Sequence, residues 1–248
     1  MTVYFIGAGP GDPELITVKG QRLLRSCPVI LYAGSLVPEA LLEGHNAELV
    51  VNTAGLHLEA IIQLLHEAHD MGQDIARVHS GDPSLYGAIG EQIRHLRALN
   101  IPFQIIPGVT ATAACAALLE SELTLPGISQ TLILTRYATK SEMPTGEQLA
   151  DLARHGATMA IHLGVSHLSR IVAELLPHYG LDCPIAVVHR ASWPDQDWVS
   201  GTLADIEVKV QTKGFRRTAL IIIGRVLGAE QFADSALYHT DTQHLYRP

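Results

Sequence analysis

Short apolar runs alternate with helix-patterned stretches through the first half of the chain, and several of the runs end on a glycine-bearing loop. Val3 to Ile6, Val29 to Tyr32, Leu49 to Val51, Ile75 to Val78 and Phe103 to Ile106 are too short and too rich in branched side chains for helices, so they read as strands. Between them Thr17 can cap a helix running to about Arg25. Leu58, Ile61, Ile62, Leu65 and Ala68 recur at helical spacing, and a third helix is expected near Ile89 to Leu99. This alternation restricts the fold to α/β with a mostly parallel sheet, whose ligand crevices lie beyond the carboxyl ends of the strands.

After a small-residue helix from Val109 to Leu119, the loop Thr124-Leu125-Pro126-Gly127 opens a second set of elements. Strands are expected at Thr131 to Thr135, Met159 to Leu163, Ile185 to His189, Trp198 to Ser200 and Ala219 to Ile223. Helices are expected near Glu147 to Arg154, Leu168 to Pro177 and Leu203 to Thr212. The short connection before Trp198 suits a hairpin, which makes the second sheet mixed. Two α/β domains, 1–118 and 119–248, follow from this pattern.

Composition narrows the function. Charged residues are 17% of the chain against 47% hydrophobic, which supports a large core and excludes a disordered protein. A net charge of -8 with no basic run disfavours a general nucleic-acid binder. The 3 cysteines, Cys27, Cys115 and Cys183, form no C-x-x-C pair, so neither a disulfide framework nor cysteine-ligated zinc is expected. His66-Glu67-Ala68-His69 lacks the i, i+4 spacing of a zinc helix, and no metal is expected. The most apolar stretch, Val109 to Leu119, falls well short of the ~18 residues of a membrane span. No basic residue precedes Lys19, so a charged leader is not seen and a cytoplasmic location is expected.

Three strand-end loops carry the chemistry. Gly7-Ala8-Gly9-Pro10-Gly11-Asp12 invites a dinucleotide-fold reading but departs from it. Asp12 stands at the third glycine, Pro10 and Pro13 bracket the turn, and the second strand ends without an acidic ribose ligand. A tight turn or close backbone approach to another ligand remains. Ser80-Gly81-Asp82-Pro83-Ser84-Leu85-Tyr86-Gly87 is polar and shaped by Pro83. Pro107-Gly108-Val109-Thr110-Ala111-Thr112 opens an alanine-rich helix that either packs tightly on the sheet or leaves room for a flat ring. His162 and His189 fall in expected strands and read as structural. No nucleophile elbow or P-loop occurs, and no acid, base or nucleophile stands out.

Taken together, Phe5 to Pro13 with Leu15-Ile16-Thr17, Ser80 to Gly87, Pro107 to Thr110 and Thr218-Ala219-Leu220-Ile221-Ile222-Ile223-Gly224 resemble, in order and spacing, the tetrapyrrole methylase family. That resemblance covers almost the whole chain. It implies a fold of two α/β domains with the active site in the trough between them, and methyl transfer from S-adenosylmethionine to ring carbons. The first domain would carry the precorrin side and the cofactor loops, and the second would complete the cofactor site.

Tyr32-Ala33-Gly34-Ser35-Leu36, Thr135-Arg136, Ala191-Ser192-Trp193-Pro194 and the tail Leu237-Tyr238 to Tyr246-Arg247 resemble the branch that methylates C11 of precorrin-4 or cobalt-precorrin-4 in cobalamin synthesis. The uroporphyrinogen-III branch carries an acidic residue after the second-strand tyrosine, where Ala33-Gly34 stands here. Carried over by motif, Pro10, Ser80, Gly81, Asp82, Leu85, Thr110 and Ala111 would bind the cofactor, with Leu163, Ala191 and Ala219. Tyr86, Arg136 and Arg190 would meet the ring; Arg216 and Arg217 also lie beside expected strand ends, and arginine pairs bidentately with the ring's carboxylates. A homodimer is the family expectation. The competing readings are a methyltransferase of the same fold acting on another tetrapyrrole or on ribosomal RNA, and a non-catalytic or dehydrogenase-like ligand binder.

Overall fold

The computed structural model describes residues 1–139 and 141–235, so the tail motif Leu237 to Arg247 lies outside the described residues. Two compact units are present. One comprises Met1–Ala114 with Ala191–Asp195, and the other, among the described residues, Cys115–Arg190 with 196–235. The five residues Ala191–Asp195 thus belong to the first unit although the sequence places them deep in the second half.

In the first unit, β1 (Val3–Gly7), β2 (Val29–Tyr32), β3 (Leu49–Asn52), β4 (Ile75–His79) and β5 (Phe103–Ile106) form one sheet in the order β3-β2-β4-β1-β5. Every pairing is parallel. Alternate side chains serve opposite faces, as the period of two requires. Val3, Phe5, Val29, Leu31 and Ile75 pack against α2 (Leu58–Asp70) and α3 (Ile89–Ala98). Ile6, Ile30, Ala76, Val78 and Ile106 pack with Leu24 of α1 (Val18–Ser26) and with Leu41 and Leu42 on the opposite face. The central strands β1, β2 and β4 are covered on both faces and read as nearly continuous apolar runs, whereas the edge strands β3 and β5 are partly exposed. Thr17 caps α1 as expected, its Oγ1 accepting from the Gly20 N–H at 3.1 Å.

α4 (Ala111–Leu118) follows β5, and the chain passes into the second unit within this helix. There β6 (Leu132–Arg136), β7 (Thr158–His162), β8 (Pro184–His189), β9 (Asp197–Thr202) and β10 (Ala219–Ile223) form a sheet in the order β6-β7-β10-β8-β9. β6 and β7 are parallel; β10 runs antiparallel to β7 and β8, and β8 and β9 make the expected hairpin. Met159, Ile161, Ile185, Val187, Ile221 and Ile223 share a core with α5 (Leu149–Ala153), α6 (Leu168–Tyr179) and α7 (Ile206–Lys213). Pairing β10 with two antiparallel neighbours puts its amino end beside the carboxyl ends of β7 and β8.

Candidate active site

The three glycine loops of the first unit follow β4, β1 and β5, which are adjacent strands in register, so the loops leave the sheet side by side. They touch. Gly9 and Gly81 form an antiparallel bridge, with the Gly81 N–H donating to the Gly9 carbonyl at 2.7 Å and the Gly9 N–H to the Gly81 carbonyl at 3.3 Å. Asp82 joins the third loop: its Oδ2 accepts from the Gly108 N–H at 2.9 Å, while Oδ1 accepts from the N–H of Ser84 at 2.8 Å and from the Ser84 hydroxyl. Partial burial opposes the ionised form, but the bonds from Ser84 and Gly108 outweigh it and hold the carboxyl below its ordinary value.

Each glycine has an identifiable neighbour, and the neighbours separate two roles. A Cβ on Gly108 would stand 2.1 Å from the Gly81 carbonyl, and one on Gly7 would stand 2.6 Å from Gly108. A Cβ on Gly11 would lie 2.2 Å from the Trp193 ring, and one on Gly87 would lie 2.3 Å from the Pro83 carbonyl. These glycines exist so that protein can pack on protein. Gly81 differs: φ is +61°, and an added Cβ would find its nearest atom at 3.9 Å. Among these loops Gly81 is the glycine that faces open space, as a ligand-facing backbone should.

Of the other residues expected at the cofactor, Pro10, Ser80, Asp82, Leu85 and Thr110 lie on the loops after β1, β4 and β5, and Ala111 opens α4. Thr110 turns its Oγ1 to the Ala113 N–H at 3.1 Å and caps α4, so Ala111 presents only a methyl group. Ala191 is buried within the same unit. Tyr86 is 45% exposed and left-handed at φ +57°, followed by Ala88 at +50°. Small residues, backbone carbonyls and one ionised carboxylate suit a cationic adenosyl ligand, and no strong protein nucleophile intrudes. Burial pushes the Cys27 and Cys115 thiols up to about 12 and Cys183 to about 11, so none is a thiolate near neutral pH.

Beneath these loops lies a polar group that the sequence reading passed over. Arg77 and His79 sit on the α3 face of β4, each 4% exposed. The Arg77 Nε donates to Gln92 Oε1 at 3.1 Å and one terminal nitrogen to the Leu31 carbonyl at 3.3 Å. Burial and then the Arg77 charge push His79 down to about 3, against the opposing influence of a hydrogen bond to the Gly87 backbone. The visible signal was Arg and His at alternate positions of an otherwise apolar strand.

In the second unit, Arg136, Leu163, Arg190 and Ala219 lie along one edge of the sheet. Arg136 pairs with His162 in the β6–β7 register, Ala219 pairs with His189, and the Arg190 N–H donates to the Thr218 carbonyl at 3.0 Å. Leu163, Arg190 and Thr218 are all left-handed, and Leu163 is 60% exposed. The Arg136 guanidinium donates to the carbonyls of Tyr137, Ser141 and Glu142 at 3.2–3.4 Å, so it fastens the loop after β6. Arg216 and Arg217 are exposed and have no hydrogen bond or ion pair among the described residues.

Residues 2–207 match the family described as Tetrapyrrole (Corrin/Porphyrin) Methylases. The chain is 74% identical to the precorrin-4 C(11)-methyltransferase of Pseudomonas aeruginosa, over 100% of this chain and 99% of that protein. Among solved structures, a cobalt precorrin-4 methyltransferase of cobalamin biosynthesis superposes with a TM-score of 0.89 at 41% identity, covering 91% of this chain and 95% of that one. The uroporphyrin-III C-methyl transferase of Thermus thermophilus, solved with S-adenosyl homocysteine, gives a TM-score of 0.78 at 32% identity over 92% of this chain and 99% of the other.

Proposed function

The chain belongs to the tetrapyrrole methylase family, and from that premise we propose that it transfers a methyl group from S-adenosylmethionine to C11 of precorrin-4, or of its cobalt form, in cobalamin biosynthesis. The observation that carries this reading is the 74% identity to a precorrin-4 C(11)-methyltransferase along the whole chain. Ala33-Gly34 supports it against a uroporphyrinogen substrate. Ala33 offers only a methyl group directly after Tyr32, and beside it the Asn52 amide packs on Gly34, where a Cβ would lie 2.2 Å from Nδ2.

S-Adenosylmethionine supplies a methyl group on a sulfonium that already contains its own leaving group. The residues proposed to hold it are Pro10, Ser80, Gly81, Asp82, Leu85, Thr110, Ala111 and Ala191 in the first unit, with Leu163 and Ala219 in the second. Their task is orientation: holding reacting groups in line supplies several kcal/mol of the barrier without an acid or base. Asp82 stays ionised because its hydrogen bonds outweigh burial, and its negative charge favours a cation nearby. Tyr86 and Arg190 are proposed ring contacts. Arg136, a proposed ring contact, also fastens the loop after β6, and Arg216 and Arg217, which have no bond among the described residues, are proposed as further partners of the ring carboxylates. The ring carbon is the nucleophile, so no methylated enzyme forms and no protein-bound metal takes part. The enzyme is proposed to work in the cytoplasm as a homodimer.

Incubation of the purified protein with S-adenosylmethionine and precorrin-4, with and without cobalt, followed by mass spectrometry, tests this. One added methyl group per ring, located at C11, is expected. Methylation at another carbon, or none with either ring, overturns the assignment.

A further inference from the structure

The segment Ala191-Ser192-Trp193-Pro194-Asp195 packs in the first unit, about 180 residues away in sequence from the loop it meets. The Trp193 indole Nε1–H donates to the Pro10 carbonyl at 2.8 Å, and the Asp12 N–H donates to the Ser192 hydroxyl at 3.0 Å. Between these two bonds Gly11 lies flat on the indole, with room for hydrogen and nothing larger. Ser192 is itself left-handed at φ +68°, a conformation that serine adopts only when its surroundings impose it. Pro10-Gly11-Asp12 is therefore gripped at both ends and covered in the middle, directly after Gly9, which carries the bridge to Gly81.

We propose that Trp193, assisted by Ser192, is a positioning residue for the cofactor: it fixes the Pro10–Asp12 turn so that the face beside Gly81 is preformed before the ligand arrives. This rests on the reading of the three loops as the S-adenosylmethionine site. Among the described residues Asp12 otherwise bonds only within its own turn, accepting from the Glu14 N–H at 2.8 Å and the Leu15 N–H at 3.0 Å, so without Trp193 and Ser192 no bond would tie Pro10–Asp12 to the rest of the unit, and ordering the turn would weaken ligand binding. Gly11 follows from the same arrangement: its missing side chain makes space for the indole, not for the ligand.

Titration calorimetry with S-adenosylhomocysteine on the full-length protein tests the proposal, alongside steady-state kinetics. Trp193→Phe keeps a ring over Gly11 but removes the donor, and Ser192→Ala removes the acceptor. Loss of one neutral hydrogen bond predicts a roughly fivefold rise in Kd for each variant. KM for S-adenosylmethionine should rise in parallel, with kcat at saturation and KM for the ring unchanged. Gly11→Ala should bind far more weakly, and adding Trp193→Ala to it should restore part of the affinity, because the clash is with the indole. Wild-type Kd in both single-hydrogen-bond variants overturns the positioning role, as does a loss that tracks only the folded fraction seen in thermal unfolding. Should Trp193→Phe not fold, Ser192→Ala decides alone. Failure of the wild-type protein to bind S-adenosylhomocysteine would instead remove the underlying reading of the loops.

Discussion

At the loop edge of the first sheet Gly7, Gly81 and Gly108 pack backbone against backbone, and left-handed Tyr86 and Ala88 come only further along the β4 loop, whereas at the loop edge of the second sheet the chain turns on left-handed Leu163, Arg190 and Thr218 directly at the strand ends. The first arrangement brings adjacent loops within bonding distance of one another and leaves Gly81 facing open space. The second keeps side chains at positions where glycine would be easier, and steric strain in the backbone is the consequence. One edge is built to let a ligand approach the main chain; the other is built to present side chains. That division is what the proposed function asks for, in which small residues hold the cofactor and larger ones meet the ring.

The largest test of this contrast is Gly108→Ala. The new Cβ would meet the Gly81 carbonyl and the Gly7 Cα, both backbone atoms that cannot rotate away. A loss of about 4 kcal/mol in denaturant-monitored stability is expected, with cofactor binding abolished. A loss under about 1 kcal/mol would show that the loops are not interlocked as described.

Acid pH separates the units next. His79 falls from an ordinary 6.5 to about 3 because of burial and the Arg77 charge, and His162 falls to about 4 because of burial. A histidine depressed in the folded state takes up its proton first in the unfolded chain. Neither histidine affects stability well above pH 6.5, and both lower it as pH falls towards their folded values. Between pH 6.5 and 4 the His79 contribution is a loss of about 3 kcal/mol. The midpoint of guanidinium melts should therefore fall less with pH across this range in His79→Asn than in the wild type. Removing His162 should flatten a window that closes about one unit higher, and equal windows for the two would contradict the assigned environments.

The smallest effect is the sharpest comparison, since it predicts opposite signs. Gly81→Ala forces a Cβ into the left-handed region without a clash and should destabilise by about 1 kcal/mol while weakening S-adenosylhomocysteine binding. Leu163→Gly relieves the same strain at an exposed position and should stabilise by about 0.5 kcal/mol while reducing turnover. Thermal unfolding of the two variants reads both signs, and destabilisation by Leu163→Gly would mean that its side chain, not its backbone, governs that strand end.

Short apolar runs, helical spacing, a helix cap and a small-residue stretch located the ten described strands and the seven α-helices, because these are local consequences of which side chains must be buried and how the backbone starts a helix. The loops following β1, β4 and β5 were legible as sharp strand-end turns for a similar reason: glycine, proline and aspartate at a strand end restrict the backbone wherever the rest of the chain lies. What those glycines are for was not legible. Gly11 gives way to Trp193, Gly108 to the Gly81 carbonyl and Gly34 to Asn52, and each partner is supplied by a distant stretch of chain. The antiparallel course of β10, the burial of His79 beside Arg77, and the attachment of Arg136 to the loop it precedes belong to the same class. A sequence records which residues need a partner. Which partner each one receives is set by the order of strands in the sheet and by the return of Ala191–Asp195 to the first unit, and those are decided only when the whole core is packed.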